Sequence, residues 1–146
     1  MLRGNQLKEI PKELGKLTLL KTLSISKNKV KRLPETIGKI RDLRELYLHY
    51  NELETLPESI GNLQKLYRLH LQHNNLKSLP ESMANLVKLN ELNLSYNPLR
   101  EVPEGIFSLP NLEHLILPSE EIYSPDSFRK QFIKSVESPQ EIWYYK

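Results

Sequence analysis

The side chains best suited to chemistry or recognition sit in the middle of this 146-residue chain and recur at one spacing. Tyr47, His49, Tyr50, Arg68, His70, His73 and Tyr96 supply phenol, imidazole and guanidinium groups, and 23 residues separate Tyr50 from His73 and His73 from Tyr96. Glu45, Arg68 and Glu91 keep the same interval with alternating charge. Imidazoles can act as bases or metal ligands. His49, His70 and His73 could approach one another, but no carboxylate or cysteine completes a ligand motif and the helical H-E-x-x-H spacing is absent. Neither a metal nor any other cofactor is therefore expected. The chain has no cysteine, which removes disulfides, thiolate zinc sites and cysteine nucleophiles. A Gly-rich phosphate loop and a G-x-S-x-G elbow are also missing. The expectation is a binder and not an enzyme.

These side chains need elements that hold them side by side, and a repeat supplies them. Repeats begin at Leu20, Leu43, Leu66, Leu89 and Leu112, in the pattern L-x-x-L-x-L-x-x-N-x-L-x-x-L-P-x-x-I-x-x-L-x-x. Leu2, Asn5, Leu7, Ile10, Pro11, Leu14 and Leu17 extend it back into an incomplete repeat. In Leu43-Arg44-Glu45-Leu46-Tyr47-Leu48 the alternating leucines mark a strand with one buried face. Asn5, Asn28, Asn51, Asn74 and Asn97 follow the strands, where a carboxamide offers both donor and acceptor to backbone groups leaving the sheet. Pro11, Pro34, Pro57, Pro80 and Pro103 suit the first position of a short helical turn. Acids follow at Glu35, Glu58, Glu81 and Glu104, favouring the positive end of that turn. Leu14, Ile37, Ile60, Met83 and Ile106 are expected to point inward, as are Leu17, Ile40, Leu63, Leu86 and Leu109.

One coil cannot bury its own leucines, whereas stacked coils share a core. The spacing thus predicts an α/β solenoid with a parallel sheet on its concave side and short 3₁₀ or α turns on its convex side. Adjacent strands lie ~4.8 Å apart, so equivalent positions form ladders: Thr22, Glu45, Arg68, Glu91 and His114; then Ser24, Tyr47, His70, Asn93 and Ile116; then Ser26, His49, Gln72, Ser95 and Pro118; then Lys27, Tyr50, His73, Tyr96 and Ser119. Glu45, Arg68 and Glu91 read either as surface ion pairs of at most ~1 kcal/mol each or as a polar contact set for a ligand. The core needs none of the tyrosines or imidazoles, and tyrosine is enriched at interface hot spots, so the concave rings are read as a protein-binding patch. The projected concave area is ~400 Å², below the ~800 Å² per partner of a standard interface, so a tight complex would recruit further surface.

The pattern resembles leucine-rich repeats of the 23-residue, Leu-Pro-containing class, as in the Ras-group and bacterial families. The run Gly4-Asn5-Gln6-Leu7-Lys8-Glu9-Ile10-Pro11-Lys12-Glu13-Leu14-Gly15-Lys16-Leu17 is similar to the Lys- and Gln-rich consensus of Leptospira proteins. The resemblance covers Leu2 to about Pro118 and implies a right-handed solenoid with a binding role. It names no ligand. If the origin is bacterial, the partner expected is a host protein.

The division expected is a solenoid over residues 1–118 and a C-terminal cap over 119–146 with one or two short helices. Ser124-Pro125-Asp126 reads as a helix start, with Phe128, Phe132, Ile133 and Val136 on one face. Ser138-Pro139-Gln140-Glu141 reads as a capping box for a second helix carrying Ile142, Trp143, Tyr144 and Tyr145, rings that either finish the cap or serve as a hot spot. At the other end Met1 begins inside a strand with no cap before it. That exposed edge motivates an alternative, self-assembly into a homo-oligomer.

Charge motivates another. Residues 1–44 hold 12 Lys/Arg against 4 Asp/Glu, and the rest holds 9 against 14. Arg3, Lys21, Lys27 and Lys29 make an anion-binding surface the third candidate. No motif points to nucleic acid. No run of about 18 apolar residues and no signal-peptide core occurs, and with cysteine absent this suggests a cytoplasmic or secreted bacterial protein.

Overall fold

The computed structural model describes residues 4–118 and the backbone of 141–144. Five strands come from the repeats: β1 (Thr22–Ser24), β2 (Glu45–Tyr47), β3 (Arg68–His70), β4 (Glu91–Asn93) and β5 (His114–Leu117). They pair in sequence order, all parallel, and the register places Glu45 beside Arg68 and Arg68 beside Glu91. Each strand buries its central leucine and turns its outer two residues to the other face, so the period of two fixes which side chains are displayed. Opposite the sheet lie 3₁₀ turns at Lys12–Lys16, Glu35–Lys39, Glu58–Asn62 and Glu81–Asn85, then the helix α1 (Glu104–Phe107).

The core between sheet and turns is a stack of leucines and isoleucines, with Leu46, Leu69 and Leu92 fully buried under the strands and Ile37, Ile60 and Met83 fully buried under the turns. Each added coil covers the face that the last coil leaves open, which is why burial is complete in the middle coils. In the first coil it is not. Leu14 packs against the core but stays half-buried, and Leu17 is 52% exposed, contrary to the inward orientation expected of it. Among the described residues no coil packs on that side.

The asparagines join successive coils. Asn51 Nδ2 donates to the carbonyls of Leu48 (3.0 Å) and Ile25 (3.0 Å), while its Oδ1 accepts from the Val30 N–H at 3.1 Å. Asn74 and Asn97 repeat the arrangement one and two coils later. A buried carboxamide thus satisfies groups from two coils at once. Asn5 stands outside the scheme, exposed; the first such bridge is Asn28, whose Oδ1 accepts from Leu7 N–H at 3.1 Å.

The prolines sit one residue earlier than expected. Pro34, Pro57 and Pro80 are the extended residues just before their turns, with φ between −70° and −72°. Their carbonyls accept the first bond of each turn, as from Ile37 N–H to Pro34 at 3.0 Å, so ring-fixed φ serves the approach to the turn. Glycine matters between turns. A Cβ on Gly15 would lie 2.5 Å from the Thr36 carbonyl oxygen, and one on Gly38 or Gly61 would strike the carbonyl oxygen of Ser59 or Ser82.

Ile142, Trp143 and Tyr144 do not lie on the short helix expected of them. Glu141–Tyr144 is instead a strand, β6, parallel to β5 with His114 beside Glu141 and Ile116 beside Trp143. Pairing there satisfies the free edge of β5, and that tertiary gain outweighs a local helix signal. The helix expected around Phe128, Phe132, Ile133 and Val136 lies outside the described residues.

Candidate functional site

Two groups of side chains meet on the displayed face of the sheet. The first is a polar network across β2, β3 and β4. Arg68 Nε donates to Glu91 Oε2 at 2.6 Å, and its Nη1 donates to Glu45 Oε1 at 3.0 Å and to the Tyr47 hydroxyl at 3.4 Å. Thr22 Oγ1 donates to Glu45 Oε2 at 3.3 Å. His70 Nε2 lies 2.6 Å from Glu91 Oε1; a carboxylate only accepts, so this nitrogen carries the proton. Hydrogen bonds to Tyr47 and Glu91 hold the Arg68 guanidinium charged, above its ordinary value. For Glu91, burial pushes the carboxyl up, but bonds from Arg68 and His70 outweigh it and hold it below the usual glutamate value. These side chains remain between a fifth and a third exposed, so each pair contributes about 1 kcal/mol at most. The network is internally satisfied, and its effect is to fix Tyr47 and His70 in place.

The second group is a stack of rings. Lys27, Tyr50, His73 and Tyr96 each follow a strand by the same count, and all four have φ between 55° and 59°. This left-handed conformation costs a non-glycine residue about 1 kcal/mol or more. It brings the rings of successive coils face to face. Tyr50 and His73 lie 4.3 Å apart at 10°, and His73 and Tyr96 lie 4.1 Å apart at 9°. Lys27 Nζ caps the Tyr50 end at 5.7 Å. Tyr50 is 48% and Tyr96 50% exposed. His49 joins the two groups, with ring centroids 5.9 Å from Tyr50, 6.3 Å from Tyr47 and 6.2 Å from His70.

The structure therefore brings Tyr47, His49, Tyr50, Arg68, His70, His73 and Tyr96 onto one surface. His114 stands in the same ladder as Arg68, beyond Glu91. Ser26 and Ser95 were expected on that surface but are buried. Their short side chains stay at the sheet, Ser26 beside Ser24 at 3.3 Å and Ser95 bonded to Asn93. Among the described residues no three side chains of histidine, aspartate or glutamate are placed to hold a metal ion. The expected anion-binding residues lie as follows. Lys27 belongs to the ring stack, Lys21 is exposed on the opposite edge of the sheet, and Lys29 lies 3.3 Å from Gln6 Oε1. Arg3 lies outside the described residues.

Two features escaped sequence reasoning. Gln72 Oε1 is buried with no hydrogen-bond partner among the described residues. Tyr67, 45% exposed, belongs to the row Lys21, Arg44, Tyr67, Asn90 and Glu113 along the edge of the sheet. Tabulating the residue before each first ladder position would have found it.

The model of a leucine-rich repeat region matches residues 1–73 and 37–138. A leucine-rich-repeat protein of Leptospira interrogans superposes with a TM-score of 0.83 at 38% identity, over 94% of this chain and 34% of that one. The ectodomain of the Arabidopsis thaliana receptor kinase GASSHO1/SCHENGEN3, solved in complex with CASPARIAN STRIP INTEGRITY FACTOR 2, gives 0.71 at 39% identity, over 77% and 14%. An internalin of Listeria monocytogenes gives 0.69 at 30% identity, over 77% and 32%. The chain thus spans about a third or less of the length of each. No curated protein matches it. Among the described residues no helix is long and apolar enough to cross a membrane.

Proposed function

The chain belongs to the leucine-rich-repeat family, and from that premise we propose that it is a non-enzymatic protein-binding module that uses the concave sheet around Tyr47, Tyr50, His70, His73 and Tyr96. One observation carries this reading. Three rings stand stacked on backbone held in a costly left-handed conformation, the outer two exposed and His73 half-buried between them, at positions where the leucine core needs no ring. Rigid amphipathic rings present contact area at low entropic cost. The plant receptor solved with a bound factor is a member of the same fold in that role.

The likeness to Leptospira and Listeria proteins motivates the finer reading, a partner from a host cell. The test is capture from host and bacterial lysates by the wild type and by a Tyr50→Ala, His73→Ala, Tyr96→Ala variant. A host protein held by the first and lost by the second is the expected result. Equal capture by both, or capture only of bacterial proteins, would remove one or other half of the reading.

A second reading is self-association through the first coil, where Leu17 is 52% and Leu19 80% exposed. Light scattering should then show a species larger than a monomer, abolished by Leu19→Lys. A monomer at high concentration and low salt would dismiss it.

A further inference from the structure

Away from the ring stack, an open groove of about 700 Å³ runs along the other edge of the sheet, between the row of Arg44, Tyr67 and Asn90 and the row of Lys88 and Asn111. It crosses three to four coils, roughly 14 Å at ~4.8 Å per step, and its volume falls within the ~300–1,000 Å³ range of ligand sites. Tyr67 is the one aromatic residue among those lining it. The Arg68 guanidinium lies 5.8 Å from the Tyr67 ring centre, and the ring remains 45% exposed.

The charges around it are not all engaged. Lys65 is paired with Asp42 at 2.5 Å and Glu45 with Arg68 at 3.0 Å. Among the described residues no carboxylate forms a contact ion pair with Arg44 or Lys88, although the Arg44 charge helps to hold the Asp42 carboxyl low, and both cations are exposed. Glu113 closes the far end, which directs an anionic group towards Arg44 and Lys88. The two amides are oriented by their own donors. Asn90 Nδ2 donates to the Asn111 carbonyl at 3.1 Å, and Asn111 Nδ2 donates to the Val87 carbonyl at 2.6 Å. Their Oδ1 atoms accept nothing among the described residues. Such oxygens repel a bare anion and suit a ligand rich in hydroxyl donors.

We infer that this groove is a second binding site, distinct from the ring stack, for an acidic saccharide: a sugar ring lies on Tyr67, its hydroxyls donate to Asn90 and Asn111, and its sulfate or carboxylate meets Arg44 and Lys88. Platform, acceptors and cations act on three different parts of one ligand, which a lone anion or a neutral sugar does not offer.

Calorimetric titration at physiological salt tests it, with a heparin-derived sulfated hexasaccharide, a hyaluronan hexasaccharide, inorganic sulfate and neutral maltohexaose as probes. One or both acidic hexasaccharides should bind, and which one does identifies the anionic group. Tyr67→Ala should lower the affinity at least tenfold and Lys88→Ala at least threefold, while Tyr67→Phe keeps it. Lys8→Ala with Lys31→Ala, on the opposite edge, should leave it unchanged. The ring-stack triple alanine variant should also bind normally, so failure here and failure of the protein-binding reading are separable. The inference is overturned if neither acidic saccharide binds, if sulfate or maltohexaose binds as well as they do, or if the Lys8/Lys31 pair matters as much as Tyr67.

Discussion

The imidazole of His73 lies flat against the phenol of Tyr96, 4.1 Å between ring centres at 9°. The two residues are one coil apart, and each reaches the other from backbone with φ of 55°. Stacking of this kind contributes ~0.5–1.5 kcal/mol per pair, about what each left-handed residue costs. Two such pairs return about 1–3 kcal/mol against roughly 3–6 kcal/mol for three left-handed residues, so the stack does not stabilise the fold.

That balance makes the first prediction. Asparagine tolerates the left-handed region, so Tyr50→Asn, His73→Asn, Tyr96→Asn together should relieve part of the strain while losing the stacking, leaving a small net change. The melting temperature should move by no more than about 4 °C, equivalent to ~1 kcal/mol in a domain of this size. A fall of ten degrees or more in a thermal melt would make the stack a structural element.

The asparagine bridges should behave differently. Asn74→Ala leaves the buried Leu53 N–H without its acceptor, while the carbonyls of Leu48 and Leu71 keep bonds from Asn51 and Asn97. One orphaned donor and the lost bonds together should cost roughly 2–4 kcal/mol. Denaturant unfolding measures this, and an unchanged midpoint would refute the bridging role.

Close approach of the turns gives a third. Gly61→Ala places a Cβ against the Ser82 carbonyl oxygen, and overpacking of this kind costs ~1–3 kcal/mol. Ala84 occupies the equivalent place one coil later, so the reciprocal change Ala84→Gly should cost less. Paired unfolding curves would reveal the difference.

A fourth concerns acid. Because Glu91 is held below its ordinary value, it stabilises the fold above the unfolded-state value of ~4.3. That contribution is lost as pH falls through the lower native value. Solvent exposure keeps it below about 1 kcal/mol. Comparison of wild type with Glu91→Gln should show the two stabilities converging as pH drops from 5 towards 2. Curves that stay parallel would contradict the assignment.

Much of this was legible in the residues because a strict 23-residue period with parallel, in-register pairing fixes who neighbours whom. Glu45, Arg68 and Glu91 could be placed side by side from spacing alone. The face-to-face stacking of Tyr50, His73 and Tyr96 could not, because it depends on a backbone torsion that no single residue type announces here. Ser26 and Ser95 show a related limit: alternation gives the face, but a short side chain bonded to its own strand does not reach solvent. At Glu141 the local capping pattern lost to pairing with β5, a contact that no window of a few residues contains.

The central claim is that the ring face meets the partner, and site-specific photocrosslinking tests it most directly. Benzoylphenylalanine replaces His73 on the concave surface in one protein and the exposed Asn62 on the convex turns in another, and each is irradiated in host lysate. The account predicts a discrete adduct from position 73 and none from position 62. Adducts of equal yield from both, or from position 62 alone, would contradict it.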